Sequence, residues 1–233
     1  MQNRSNTDAA RDSIFQSIRA NLAASVTHDA LESEIHHEAR PVVSSAAPLV
    51  SEQSLVQWFK ESLEAVDGHC LVVKNELELT ATVSDIISRL QETNLRARRI
   101  AISDAPEVES LVKALHVDFD EVAVTPSASE VFSFDVGISC AQAGIAETGT
   151  LLLDSSRERH RLVSLVPPVH IAILEARQIV GTLGEALSQL RQTEKVSPIA
   201  TLVTGPSRTA DIELTLAIGV HGPQELFVVV LDT

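Results

Sequence analysis

Two short polar runs carry the residue types from which a binding or catalytic site could be assembled. The first is Gly205-Pro-Ser-Arg-Thr209, with Asp211 and Glu213 just beyond it. Ser207, Arg208 and Thr209 are donors suited to an anionic ligand, and a guanidinium forks a carboxylate or phosphate through two parallel hydrogen bonds. Asp211 would oppose an anion unless it accepts from a ligand hydroxyl or holds Arg208. The same residues also read as a well-made helix start. Pro206 fixes φ, Gly205 permits a tight turn, Ser207 or Thr209 supplies a cap, and the two carboxylates suit the positive end of a helix dipole.

The second run is Gly144-Ile-Ala-Glu-Thr-Gly-Thr150, leading into Leu151-Leu-Leu-Asp154. Glu147 stands beside an otherwise apolar strand, with Thr148 and Thr150 as ligand-binding candidates. Burial there would raise the carboxyl pKa and suit it to acid, base or nucleophilic work. On a solvent-facing edge, the same Glu and Thr residues would only decorate a strand. His221 lies between Gly219-Val220 and Gly222-Pro223. An imidazole there is either an acid, base or ligand partner, or it bonds to its own loop. Glu147 and His221 are therefore the catalytic candidates, and Thr148, Thr150, Ser207, Arg208, Thr209 and Asp211 the ligand-binding ones. Arg157, Arg159 and Arg161 alternate and would share one side of an extended chain, or else lie in a solvated loop. His28, Glu34, His36 and His37 match no ligand spacing, so no metal site is expected. Gly-x-Gly-x-x-Gly, Walker-type and Gly-x-Ser-x-Gly motifs are all missing from the sequence.

The elements that must position these residues follow from periodicity. A strand over Ile199–Val203 runs into the Gly205 loop. Ile212, Leu214, Leu216 and Ile218 are then read as a buried helix over Thr209–Gly219, although strict alternation suits a strand as well. A loop leaving the C-terminal end of a strand for a helix N-terminus is the usual ligand position in open α/β sheets. Upstream, helices over Glu52–Ala65, Thr80–Thr93 and Pro106–Leu115 alternate with strands at His69–Val73, Arg99–Ser103 and Val122–Val124. That alternation implies parallel strands joined by helical crossovers. Closely spaced strands follow at Val136–Ala141, Gly144–Asp154 and Val169–Leu174, with antiparallel pairing expected around Gln142-Ala-Gly144. A helix over Leu183–Arg191 and a strand over Leu226–Leu231 complete the pattern.

With 233 residues the chain suffices for one large α/β domain, expected over 49–233, after an arm over 1–48. In the arm, Ile14, Phe15, Ile18 and Leu22 recur at helical spacing between Asp8 and Leu22, and the acidic stretch Thr27–Pro48 reads as a linker. The net charge is −14, from 18 Lys+Arg against 32 Asp+Glu, which argues against nucleic acid, whose affinity comes from clustered bases. Aromatic residues amount to 3% with Trp58 the sole tryptophan, so stacking platforms are also scarce. The two cysteines, Cys70 and Cys140, fall well short of the about four that an iron–sulfur cluster takes. No apolar run approaches a membrane span or a signal peptide, so the expected location is cytoplasmic, without membrane insertion.

Four segments in order, Ile145-Ala-Glu-Thr-Gly-Thr150, Leu165-Val-Pro-Pro-Val-His-Ile171, Gly205-Pro-Ser-Arg-Thr-Ala-Asp-Ile-Glu213 and Gly219-Val-His-Gly-Pro223, resemble the lactate utilization protein C family, whose shared module is the LUD domain. The resemblance covers about Leu49 to Thr233. It implies an α/β fold with a mixed, mostly parallel sheet and flanking helices, similar to the superfamily of ribose-phosphate isomerase, glucosamine-phosphate deaminase and CoA transferases. It also implies a non-redox role in oxidising L-lactate to pyruvate, with no cofactor in this chain and iron–sulfur clusters held by partner proteins. The alternative is a stand-alone enzyme or sensor that binds a small carboxylate, phosphate or CoA-like ligand between Glu147, Arg208, Asp211 and His221.

Overall fold

The computed structural model describes residues 11, 13–21, 52–156, 159, 161–191, 199–210, 216–218 and 222–233. The chain divides into two units, Met1–Ala46 and Ala47–Thr233. In the first unit residues 13–21 are helical, within the stretch where apolar spacing predicts a helix. Leu22 and the acidic linker lie outside the described residues.

The second unit is built from alternating segments whose apolar residues recur with the period of a helix or a strand. Helix α1 (Glu52–Glu64) leads to β1 (His69–Val73), α2 (Glu76–Gln91) to β2 (Arg99–Ile102), and α3 (Pro106–Ala114) to β3 (Glu121–Val124). Helix α2 starts a turn earlier than its apolar spacing suggests. The Asn75 side chain accepts from the Glu78 N–H at 2.9 Å, and Glu76 and Glu78 favour the positive end of the dipole. Strands β4 (Val136–Cys140), β7 (Val169–Glu175) and β12 (Glu225–Leu231) complete a six-stranded sheet in the order β1-β12-β7-β4-β2-β3. Every pairing in it is parallel. Near-continuous burial of β4 and β7 reflects a sheet covered on both faces.

One face packs on α2 and α3 through Leu79, Val83, Ile87, Val108 and Leu111, against Ile100, Ile138, Ile171 and Val229. The opposite face, carrying Ala172, Leu174, Val228 and Val230, meets Phe59 and Leu63 of α1 and residues of a smaller sheet. Phe59 and Leu63 are fully buried, each contributing roughly 1.5–3 kcal/mol relative to exposure. The smaller sheet joins β5 (Ala143–Ile145), β6 (Thr150–Asp154), β8 (Ile179–Val180) and β9 (Ala200–Val203) in the order β8-β5-β6-β9. Its outer surface is covered by α5 (Leu183–Arg191), where Ala186 meets Ile145 and Leu152.

Two expectations change and one element is new. The hairpin of this region is not centred on Gln142-Ala-Gly144. The chain leaves the main sheet there, and the antiparallel turn falls between β5 and β6, across residues 146–149. The described residues of Thr209–Gly219 are not helical: β10 (Arg208–Ala210) pairs antiparallel with β11 (Leu216–Ile218), while residues 211–215 and 219 lie outside the described residues. A further helix, α4 (Arg161–Leu165), was not anticipated, since five residues are too few to show a period.

Helix α4 lies directly on β4. A Cβ at Gly137 would sit 1.8 Å from the Val163 carbonyl oxygen, so only glycine allows the approach. Next to it, Ser139 and His170 are both fully buried, with Oγ and Nε2 2.9 Å apart. Arg159, two residues before α4, is tied to Asp104 just past the end of β2. Arg159 donates from its backbone N–H to Asp104 Oδ1 at 2.6 Å and from Nε to Oδ2 at 2.8 Å. Partial burial pushes the Asp104 carboxyl up, but these two hydrogen bonds and the guanidinium charge outweigh it and leave the pKa lowered.

Gly137→Ala should cost at least about 1–3 kcal/mol by displacing α4, seen as a lower urea midpoint at unchanged slope. Asp104 should contribute stability that is present above the ordinary aspartate pKa of about 3.9 and is lost as pH falls through its lower folded value. Urea midpoints from pH 6 to pH 2.5 should therefore fall less steeply in Asp104→Asn than in the parent.

Candidate functional site

The polar motifs gather at one rim of the main sheet. Because β1, β12 and β7 are parallel and in register (His69 opposite Phe227, Glu225 opposite Val169), their first residues share that rim. Helix α1 ends there in a tight turn. Leu63 O accepts from Val66 N–H at 3.2 Å and from Gly68 N–H at 3.0 Å, with Asp67 at φ 62° between them. Aspartate tolerates this left-handed conformation better than most side chains do.

Both motif loops close on this turn. In the β5–β6 hairpin, Gly149 has φ 62°, and a Cβ on it would lie 2.3 Å from Leu63 N. In the loop after β9, Gly205 has φ 74°, and a Cβ there would lie 2.7 Å from Val66 O. Arg208 donates from Nη2 to Val66 O at 2.9 Å and pairs with the Asp67 carboxylate. The hydroxyls of Thr148, Thr150 and Thr204 form a chain with successive Oγ1 separations of 2.7 Å, Thr150 at its centre and buried. Ser207 donates its backbone N–H to Pro223 O at 2.8 Å, and Gln224 donates to Pro168 O at 2.6 Å. All four motif segments thus contribute to this rim.

The arrangement gives each candidate a place. Thr148, Thr150, Ser207 and Arg208 are brought together around the α1 turn. Arg208 is committed to a main-chain carbonyl and a carboxylate of its own chain, and among the described residues that carboxylate is Asp67. Thr209 lies in β10, while Asp211 and His221 fall outside the described residues. Glu147 sits in the β5–β6 turn and is exposed to solvent rather than held beneath a cleft. Its N–H bonds to Gly181 O at 3.0 Å, and its carboxylate has no side-chain partner among the described residues. The loop after β9 does leave the C-terminal end of a strand. That strand belongs to the small sheet, however, and leads into a hairpin rather than a helix N-terminus.

A crevice of about 690 Å³ opens at the opposite rim, where β4, β7 and β12 end at Cys140, Glu175 and Leu231 and where α2 and α3 begin. Leu79, Leu111 and Ile173 give it an apolar floor, while Glu76, Glu107 and Glu175 supply carboxylates. Gln142, at its edge, accepts the Asp154 N–H at 2.6 Å and donates to Cys140 O at 3.3 Å. Strand ends followed by helix starts are a general signal for such a crevice. Reading the sequence for unusual motifs passed over these ordinary-looking residues. A smaller cleft of about 340 Å³ lies beside β1, between Arg89 and Leu90 of α2 and Phe227, whose ring stacks on His69 at 4.6 Å.

A chain with this all-parallel sheet, satellite sheet and motif-lined rim matches the family model described as the LUD domain over residues 56–231. It belongs to the LUD domain family. A protein of Neisseria meningitidis described as uncharacterized is 44% identical over 42% of this chain and 43% of its own length. A lactate utilization protein C of Oceanobacillus iheyensis is 29% identical over 74% of this chain and 80% of its own. That of Bacillus subtilis is 41% identical over 38% of this chain and 39% of its own. The chain thus aligns with less than half the length of two of these relatives and four-fifths of the third. A crystal structure of a DUF162 family protein from Deinococcus radiodurans shares the fold. The TM-score is 0.57 and the identity 23%, covering 78% of this chain and 98% of that one.

If the Arg208–Asp67 pair is a brace, the two residues should couple. Because Asp67 is 72% exposed at its side chain, a cycle of Arg208→Ala, Asp67→Ala and the double variant should give a coupling of about 0.3–1 kcal/mol in urea unfolding. Strict additivity would show that the pair is incidental.

Proposed function

We propose that this chain is a non-redox component of a bacterial L-lactate utilization system, working in the cytoplasm with iron–sulfur proteins that oxidise L-lactate to pyruvate. The observation that carries this reading is membership of the LUD family over 56–231, together with relatives that bear the name lactate utilization protein C. Cysteine chemistry supports the division of labour. A cluster held by thiolates takes about four cysteines, and this chain has two. Burial pushes the Cys70 thiol up to about 12, which suits it to the core rather than to ligation. The redox centres would then sit in the partners.

The motif rim supports a supporting role over a catalytic one. Nucleophilic or acid–base work needs a side chain oriented by a second group. Glu147 has no such group among the described residues, and Arg208 and the threonine hydroxyls are engaged within the fold. What the rim provides is a rigid junction, a suitable base for a docking surface.

Affinity purification from the native host grown anaerobically on L-lactate should recover iron-containing partners with lactate-oxidising activity. A colourless protein eluting alone would overturn the subunit reading. Glu147→Gln should still support growth on L-lactate. Loss of growth with the variant folded at normal abundance would instead show that this chain performs chemistry of its own.

A further inference from the structure

The crevice at the carboxyl-terminal rim has a charge balance that selects among ligands. Its volume, about 690 Å³, suits a small organic molecule. The floor is apolar, and among the described residues none of the side chains lining it is Lys, Arg or His. Three glutamates line it, Glu76 from the first turn of α2, Glu107 from the first turn of α3, and Glu175 at the end of β7.

The opposing terms are explicit. Arg177, outside the lining, pairs with Glu175 and offsets its charge. The amino ends of α2 and α3 each add a fraction of positive charge, and α3 begins at Ala105 with no side-chain cap. An anion could in principle seat there. Pro106 at the start of α3 removes one N–H, however, and Asn75 already takes up the Glu78 N–H on α2. The carboxylates of Glu76 and Glu107 outweigh the two fractional dipole charges, so the crevice stays negative.

We infer that this crevice is a binding site for an organic cation with a small apolar body, such as an alkylammonium, and that it excludes small carboxylates, lactate among them. The ammonium would lie between Glu76 and Glu107 and the apolar part on Leu79, Leu111 and Ile173. This inference is independent of the subunit reading, and the failure of either leaves the other standing.

The crevice carries its own reporter. Cys140 lines it and is half-buried, whereas the other thiol, Cys70, is buried and outside it. Trimethylammonioethyl and sulfonatoethyl methanethiosulfonate react by the same step. The thiolate attacks the sulfenyl sulfur, a mixed disulfide forms and methanesulfinate leaves, so their rate ratio reads the local potential. Measured on the full chain by peptide mass spectrometry at low salt, and normalised to 2-mercaptoethanol, the cation-to-anion ratio at Cys140 should be about threefold to tenfold. It should fall toward one in 0.5 M salt and in Glu76→Gln/Glu107→Gln. A ratio at or below one, or one that the double variant leaves unchanged, overturns the inference. Occupancy is read separately, by alkylation of Cys140 with neutral iodoacetamide. Millimolar hexylammonium should slow it severalfold and L-lactate should not. Protection by lactate, or none by hexylammonium, overturns the assignment of ligand class.

Discussion

The close approach of the β5–β6 turn to the end of α1 is the constraint on which the rest of the second unit depends. At Gly149 a single added carbon would fall 2.3 Å from a backbone nitrogen of α1, and that helix fills one face of the main sheet with Phe59 and Leu63. Backbone against backbone leaves no side chain to yield. The distance between the main sheet and its satellite is therefore set by a glycine, and Gly205 repeats the device a few ångströms along, against Val66. With the α1 turn seated between them, the two sheets share a continuous apolar layer from Leu151 and Leu153 through Leu63 to Leu174 and Val228.

The two rims of the main sheet are consequently unlike. At the amino-terminal rim, polar side chains are consumed in bonds between segments far apart in sequence: Arg208 to Asp67, Thr150 to Thr204, and the main chain of Ser207 to Pro223. Such bonds hold loops in one conformation, which costs backbone entropy that the hydrogen bonds must offset. At the carboxyl-terminal rim the strands diverge into helices and leave a crevice whose glutamates face solvent on one side and an apolar floor on the other. Among the described residues, hydrogen bonds between segments are concentrated at one rim, and the larger of the two clefts lies at the other. This separation explains why the polar motifs do not line the crevice at the carboxyl-terminal rim.

Much of the fold was legible before any coordinates. His69–Val73 has the boundaries that its spacing implies, because an apolar run set between Gly68 and Asn75 has one low-energy local solution. The parallel sheet followed from the alternation of strand and helix. Three features did not follow. A window of alternating Ile and Leu after Thr209 is compatible with a short buried helix and with a hairpin, and pairing between β10 and β11 decides for the latter. The β5–β6 turn contains no Asn-Gly or Asp-Gly pair, so its position was hidden within one long apolar run. His170 looked like one residue of a β-strand, and only the neighbouring β4 reveals that it meets Ser139 in the core.

The candidate site divides in the same way. Residue types and local order made Thr148, Thr150, Ser207 and Arg208 stand out, since a core has no need of such polar, turn-forming detail. Whether Arg208 meets a ligand or its own chain depends on Asp67, 141 residues away, and no local pattern encodes that distance. Exposure of Glu147 likewise depends on which strand pairs with which. The sequence by itself determined most of the element types, the parallel α/β class and the family, because these rest on short-range periodicity and on strings of residues read in order. Only the tertiary structure decided which polar groups are spent on one another and which remain open, because hydrogen bonds and charge pairing act over a few ångströms and are blind to separation along the chain.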